Sequence, residues 1–125
     1  MQNKQHLISF VQNTLGCTCP NEIFEQIETA KETTKTLKQI TLGQRLLIYL
    51  WETDSPVALA HELPVLVAKG KAERDQRGLN RFRLVIVSTM PEQLAPVAEQ
   101  IFAPLNSDEK VHLHVVLQAD IKFSF

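Results

Sequence analysis

The chain has 125 residues, 44% of them hydrophobic, which is enough for a single domain, residues 1–125, with a core of its own. Its 13 basic and 14 acidic residues give a net charge of −1, which argues against a surface built to bind nucleic acid or an anionic membrane. No apolar run approaches the roughly 20 residues of a membrane span. The N-terminus lacks the apolar core of a signal peptide, so we expect a cytoplasmic protein with reduced thiols.

Two amphipathic segments predict a helical hairpin at the N-terminus. Residues 4–15 place apolar side chains at spacings of three and four, and residues 20–34 repeat this pattern. A competing interpretation makes residues 7–11 a strand that leads into a cysteine loop and then a helix, as in thioredoxin-like proteins. The helical interpretation is favoured because residues 12–15 continue the apolar stripe, and because the later order of elements fits thioredoxin poorly.

The rest of the chain alternates between strand and helix patterns. A continuous apolar run from Leu46 to Trp51 is typical of a strand that is covered on both faces. Asp54-Ser55-Pro56 is a helix start, since a capping residue precedes a proline. The predicted elements are strands at 37–42, 45–52, 82–87 and 111–117, with one helix starting at Pro56 and another at Met90-Pro91.

The helix that starts at Pro56 contains two residues that disfavour helices. We expect Pro64 to kink or divide it, because proline cannot donate its N–H and clashes one turn back. Gly70 is expected to weaken or end it, and residues 71–80 then form a polar stretch.

These elements predict an α/β fold, namely a small α/β/α sandwich with a mostly parallel sheet. The last five elements form a β-α-β-α-β series, and right-handed crossovers place both of its helices on one face. The N-terminal hairpin then covers the other face, and strand 37–42 runs antiparallel to strand 45–52. Residues 120–125 are expected to form a short edge strand or a tail.

Both cysteines lie in one short stretch, Leu15-Gly16-Cys17-Thr18-Cys19-Pro20. Gly16 suits the C-terminal cap of one helix and Pro20 the first turn of the next, so Cys19 is expected near a helix N-terminus. The helix dipole stabilises a thiolate there and lowers the thiol pKa from about 8.5 toward roughly 3.5 to 7.5. Cys19 is therefore the predicted reactive thiolate, with Cys17 as its resolving partner or co-ligand. Alternatively, both are small buried side chains in a tight turn.

Two histidines in the last strand extend this hypothesis to a metal. His112 and His114 point the same way from strand 111–117, because side chains alternate along a strand. If the cysteine turn packs across that face, Cys17, Cys19, His112 and His114 form a Cys₂His₂ set for tetrahedral Zn²⁺ or another soft metal. Alternatively, the two histidines are ordinary surface residues.

Polar side chains follow the carboxyl ends of the predicted parallel strands, where open sheets bind ligands. A third hypothesis is therefore an enzyme that uses Glu52, Asp54 and Asp120, with carboxylates that bind Mg²⁺. The alternative is that Asp54 and Ser55 cap a helix and that Ser88-Thr89 is a polar loop. No glycine-rich phosphate loop follows any strand, which argues against an ordinary dinucleotide or P-loop enzyme.

A basic stretch precedes and enters the strand at 82–87. It can contact an anion, a nucleic-acid backbone or an acidic partner. Alternatively, it is a solvated helix end with local ion pairs, which contribute little. Aromatic residues for base stacking are scarce around it. Its basic members are Lys69, Lys71, Arg74, Arg77, Arg81 and Arg83.

Two stretches of the chain resemble a small uncharacterised prokaryotic family with a G-C-x-C-P-x-x-x-F signature. The first runs from Leu15 to Phe24 and contains Gly16-Cys17-Thr18-Cys19-Pro20, and the second runs from Arg74 to Val85. The resemblance implies a stand-alone cytoplasmic protein and brings no established activity. It draws attention to six residues without giving them roles: Cys17, Cys19, Arg74, Asp75, Asn80 and Arg81.

The leading hypothesis is a thiol protein whose C-x-C-P motif serves thiol redox exchange or soft-metal binding. The alternative is a non-catalytic protein-interaction module or homodimer that uses the apolar face of an edge strand and has structural cysteines. Its partner is then another protein or a second copy of the chain. Membrane and nucleic-acid partners are not expected.

Overall fold

A five-stranded mixed sheet is the centre of the fold. The structure, a computed structural model, describes residues 2–16, 21–31, 37–105 and 109–122. The β1–β2 and β2–β3 pairs are antiparallel, the latter as predicted, whereas β3–β4 and β4–β5 are parallel. The strands, in their order across the sheet, are β1 (Ile27–Lys31), β2 (Leu37–Leu42), β3 (Leu46–Glu52), β4 (Arg81–Ser88) and β5 (Val111–Leu117).

Three α-helices flank the described strands. Single helical turns of other kinds extend or connect these elements, at Phe10–Thr14, Asn21–Glu25, Ala103–Leu105 and Gln118–Asp120. In the described parts of the chain, no helix has the length and apolar character needed to cross a membrane. The α-helices are α1 (Gln2–Ser9), α2 (Pro56–Gln76) and α3 (Pro91–Phe102).

The prediction that the second segment of the N-terminal hairpin is a helix is wrong. Asn21–Glu25 form only a short 3-10 turn, and Ile27–Lys31 form β1, which pairs with β2 along its whole length. Without β1, the hydrogen-bonding groups on the outer side of β2 would lack a strand partner. The thioredoxin-like alternative is wrong too, because residues 7–11 are helical.

α2 is one helix of 21 residues, so neither Pro64 nor Gly70 ends it. It begins as predicted: the Ser55 hydroxyl accepts a hydrogen bond from the Ala58 amide at 3.1 Å, and Pro56 occupies the first turn. Gly70 is needed for packing, because a Cβ at this position would overlap the Phe82 ring of β4. A glycine inside a helix usually costs about 1 kcal/mol relative to alanine, and here it allows α2 to approach the sheet closely.

Apolar side chains on the two faces of the sheet form two separate clusters. Residues of β3 alternate between them: Ile48 belongs to one and Tyr49 to the other. The first cluster joins α1 and the turns at Phe10–Thr14 and Asn21–Glu25 to the sheet. The second joins α2 and α3 to it. The run from Leu46 to Trp51 is buried throughout, as its apolar sequence predicts.

Candidate functional site

Basic side chains of β4 and β5 share the face of the sheet that the N-terminal elements cover. The parallel register places Arg83 beside His112 and Val85 beside His114. Val85 and Val116 alternate in step with these residues and pack in the cluster that contains α1. The predicted common orientation of the two histidines is therefore confirmed. We call this group the cationic cluster; it consists of Arg81, Arg83, His112 and His114.

Arg83 is the centre of the cationic cluster. Its side chain is 96% buried, with a relative exposure of 4%. One guanidinium nitrogen, Nη1, donates to the carbonyl oxygen of Leu15 at 2.9 Å and lies 2.8 Å from Nε2 of His114. Within the described residues, the Nε atom has no hydrogen-bond partner and no carboxylate pairs with the guanidinium. A buried charge usually has such a partner, because removing it from water is costly.

Burial, and then repulsion between positive charges, lowers the pKa values of Arg83, His112 and His114. Burial, followed by repulsion from Arg81, lowers the pKa of Arg83. Burial, with repulsion from Arg83 and then His112, lowers the pKa of His114 to about 4. Burial and then the two arginines lower the pKa of His112. Because a guanidinium offers only donors, Nε2 of His114 must accept the hydrogen bond from Arg83, and the ring is neutral at pH 7.

This environment suits an anion better than a metal cation. The lone pair of His114 that would bind a metal already accepts from Arg83. Over the described ranges, no group of three or more potential metal ligands comes together. Cys17 and Cys19 lie outside those ranges, so the Cys₂His₂ set stays a prediction.

Asp54, at the carboxyl end of β3, ties that end to the loop after β4. One carboxylate oxygen, Oδ1, accepts from the Ser88 hydroxyl at 2.7 Å and the Thr89 amide at 2.9 Å, and Oδ2 accepts from the Thr89 hydroxyl at 2.7 Å. These bonds, that of the Ser88 hydroxyl foremost, lower the pKa of Asp54. Ser55 caps α2, as the capping interpretation has it, whereas these bonds of the Asp54 carboxylate go to the Ser88-Thr89 loop and not to α2.

Among the described residues, the three predicted acidic residues divide between two cavities. Glu52 and Asp54 line an open cavity of about 220 Å³ at the ends of β3 and β4. Asp120 lines another, of about 610 Å³, which runs along β5. Two of the three carboxylates, those of Glu52 and Asp54, thus lie in one cavity, and that of Asp54 already accepts hydrogen bonds from hydroxyl and amide donors.

The residues singled out by the second resembling stretch lie around the end of α2. Arg74 is buried and bonds the carboxylate of Asp75 through Nε at 3.1 Å and Nη2 at 3.0 Å. The backbone amides of Asn80 and Arg81 both donate to the carbonyl of Arg45, at 2.8 and 3.0 Å. These contacts fix the connection from α2 into β4. Arg81 alone among the four belongs to the cationic cluster.

The local ion pairs expected in the basic stretch are present at Arg77. Its guanidinium pairs with Glu73 at 2.9 Å and with Glu28 of β1 at 3.0 Å, and donates to the Thr41 hydroxyl at 3.1 Å. Arg77 thereby connects α2 to β1 and β2. A side chain with these partners stabilises the packing of the elements and does not form a free basic surface.

Sequence reasoning recognised Arg83 only as one basic residue among six. The missed signal is its position: Arg83 alternates with the buried Phe82 and Leu84 inside an otherwise apolar strand, where an arginine must be buried too. The roles of Arg83 and Asp54 are inferred from their own contacts. No protein-family model, no curated protein and no solved structure matches this chain.

Proposed function

We propose that the chain is a thiol protein whose C-x-C-P turn is activated by Arg83. The observation that carries the proposal is the 2.9 Å hydrogen bond from this buried guanidinium to the carbonyl of Leu15. Cys17 follows Leu15 by two residues and Cys19 by four, and an extended chain spans at most about 7 Å over two residues and about 14 Å over four. Covalent geometry therefore keeps the start of the cysteine motif close to a buried positive charge that lacks a carboxylate partner in the described residues.

A positive charge of this kind favours the thiolate over the thiol. Arginine beside a cysteine lowers the thiol pKa, and the thiolate is the nucleophile in disulfide chemistry. The thiolate of Cys19 attacks one sulfur of a disulfide substrate, which forms a mixed disulfide and releases the other sulfur as a thiolate. Cys17 then attacks the Cys19 sulfur, releases the second substrate thiol and leaves a Cys17–Cys19 disulfide. Two electrons pass from the cysteine pair to the substrate.

Thiol exchange is favoured over the alternative of soft-metal binding. A cation such as Zn²⁺ would be repelled by Arg81 and Arg83, and it would compete with Arg83 for Nε2 of His114. The reduced cysteine pair that the reaction needs is maintained in the cytoplasm, which is the compartment we propose. The resemblance to the G-C-x-C-P family is part of the same proposal.

The test is thiol alkylation rate against pH in the wild type and three arginine variants. We expect one wild-type thiol to titrate below the ordinary value of about 8.5. Arg83→Gln is expected to raise that pKa, because it removes a positive charge that favours the thiolate over the thiol. Arg83→Lys should recover part of the shift. Arg81→Gln is the matched control, since it removes the same charge two residues along the strand.

Circular dichroism on each variant separates loss of folding from loss of activation. If folded Arg83→Gln keeps the wild-type thiol pKa, Arg83 does not activate the motif. If both wild-type thiols titrate at about 8.5 or above, the thiol-exchange function is wrong. Metal analysis of protein purified without chelator completes the test, because a stoichiometric metal lost on changing Cys17 and Cys19 to Ser would favour the metal-binding alternative.

We also infer an α/β/α sandwich for the layers of the fold. Support comes from the two apolar clusters, one joining α1 to the sheet and the other joining α2 and α3 to it. In this arrangement the cysteine motif follows the layer that contains α1, which is the layer that Arg83 contacts through Leu15.

A further inference from the structure

One edge of the Arg83 guanidinium has no partner within the described residues. Nη1 carries two hydrogens, and each has an acceptor, the carbonyl of Leu15 at 2.9 Å and Nε2 of His114 at 2.8 Å. Nε is buried without a hydrogen bond, and no described residue accepts from Nη2. Nε and Nη2 form the edge of a guanidinium that binds an oxyanion through two parallel hydrogen bonds. An acceptor at this edge would remove the cost of a buried donor that makes no hydrogen bond.

Two further donor side chains lie beside Arg83. Arg81 precedes it by two residues on β4 and therefore extends from the same face of the sheet, and the parallel register places His112 of β5 directly beside it. Both arginines contribute, after burial, to the lowered pKa of His112, so all three side chains interact electrostatically. Arg81 is exposed and His112 is partly buried. The three side chains thus extend from the surface of the protein to a buried guanidinium.

The positive charge of these side chains is not balanced by a carboxylate in the described part of the chain. Arg77, at the end of α2, pairs with both Glu73 and Glu28, whereas no described carboxylate pairs with Arg81 or Arg83. The two neighbouring arginines repel each other, and repulsion from Arg81 is the second cause, after burial, of the lowered pKa of Arg83. A bound anion would oppose this repulsion with two attractions.

We propose that Arg81, Arg83 and His112 form a phosphate site, which binds the phosphate group of a small phosphorylated molecule. Two phosphate oxygens accept from the Nε–Nη2 edge of Arg83, and the third accepts from Arg81 and from the ring N–H of His112. A phosphate monoester has three such oxygens and a charge of about −1.5 to −2 at pH 7, which matches two arginines. A carboxylate has two oxygens and one charge, so the edge of Arg83 alone would satisfy it.

The inference goes beyond the proposed thiol function and does not depend on it, because that proposal uses the Nη1 contact to Leu15 and this one uses the other edge. The test follows the histidine ring signals of the full-length chain by NMR while inorganic phosphate replaces chloride. Ionic strength and pH are held constant, so that screening does not change. We expect a saturable shift of His112, with the signal of His61, exposed on α2, unchanged. Acetate in place of phosphate should bind about 10-fold more weakly or worse.

Variants locate the site. Arg81→Gln changes an exposed residue and should raise the dissociation constant for phosphate about 10-fold or more, because it removes a charged hydrogen-bond donor. Lys71→Gln is the matched control, since it removes one positive charge from α2 on the other face of the sheet, and should bind as the wild type does. Arg83→Lys keeps the charge but loses the paired N–H groups, so it should also weaken binding in protein that circular dichroism shows to be folded.

Three results would overturn the proposal. The first is a wild-type His112 signal that phosphate does not shift. The second is acetate binding as tight as phosphate binding. The third is an equal loss of phosphate binding in Arg81→Gln and Lys71→Gln, which would show a general effect of net charge rather than a site.

Discussion

Asp54 shows how one exposed carboxylate can organise the ends of two strands. It accepts three hydrogen bonds from Ser88 and Thr89, and this lowers its pKa below the ordinary 3.8. A carboxyl group whose pKa is lower in the folded state stabilises that state above its unfolded pKa. The contribution is lost as the pH falls through the folded value.

Asp54→Asn is therefore expected to lower the melting temperature at pH 7 and to flatten the acid end of the stability curve. The substituted amide can still accept with its oxygen, but its nitrogen cannot accept from the Thr89 or Ser88 donors. Thermal unfolding at pH values from 2 to 7 measures the effect, with Glu62→Gln on α2 as the control. An unchanged acid slope would mean that Asp54 does not contribute in this way. Mg²⁺-dependent protection of the wild type, lost in Asp54→Asn, would revive the acidic-enzyme hypothesis.

Side-chain chemistry also explains which part of the candidate site sequence could predict. Alternation along β5 was enough to place His112 and His114 on one face. The bond from Arg83 to Leu15 joins residues 68 positions apart, and no local pattern encodes it. The only sign of this contact in the sequence is an arginine inside an otherwise apolar strand pattern.

At the scale of elements, strong patterns predicted structure and weak ones did not. The apolar run in β3, the capped start of α2 and the proline in the first turn of α3 need no distant partner to be recognised. The segment of β1 has few apolar positions, and their spacing also fits a helix. Its strand conformation depends on pairing with β2, which is a tertiary contact.

Gly70 provides the same lesson inside α2, where packing overrides helix propensity. In isolation, Gly70→Ala would stabilise the helix by about 1 kcal/mol. Because the new Cβ would overlap the Phe82 ring, overpacking should instead destabilise the protein by about 1 to 3 kcal/mol. Denaturant unfolding measures the difference. In a Phe82→Leu background the same substitution should be neutral or stabilising. An equal loss of unfolding free energy in both backgrounds would show that the ring is not the cause.

At the scale of the whole molecule, the cationic cluster connects the N-terminal layer to the sheet. Arg83 of β4 contacts Leu15, at the end of the N-terminal helical segment, and His114 of β5. The bond from Arg83 to His114 requires His114 to be neutral, because a protonated imidazole cannot accept from a guanidinium. Protonation of His114 therefore opposes the contact between β5 and Arg83 of β4, the residue that also binds the N-terminal helical segment.

The pKa of His114, lowered to about 4 by burial and by Arg83, makes the stability of the whole fold depend on pH. Between about pH 6.5 and 4 the unfolded chain binds a proton that the folded chain excludes, so stability is complete above 6.5 and decreases as the pH falls to 4. Between pH 7 and 4.5 the loss should be on the order of 2 to 3 kcal/mol. His114→Gln, which keeps an acceptor for Arg83 and cannot titrate, should remove it. Urea unfolding at pH 4.5 and 7 tests this, with His61→Gln on α2 as the control; an equal pH dependence in His114→Gln and wild type would exclude His114 as its source.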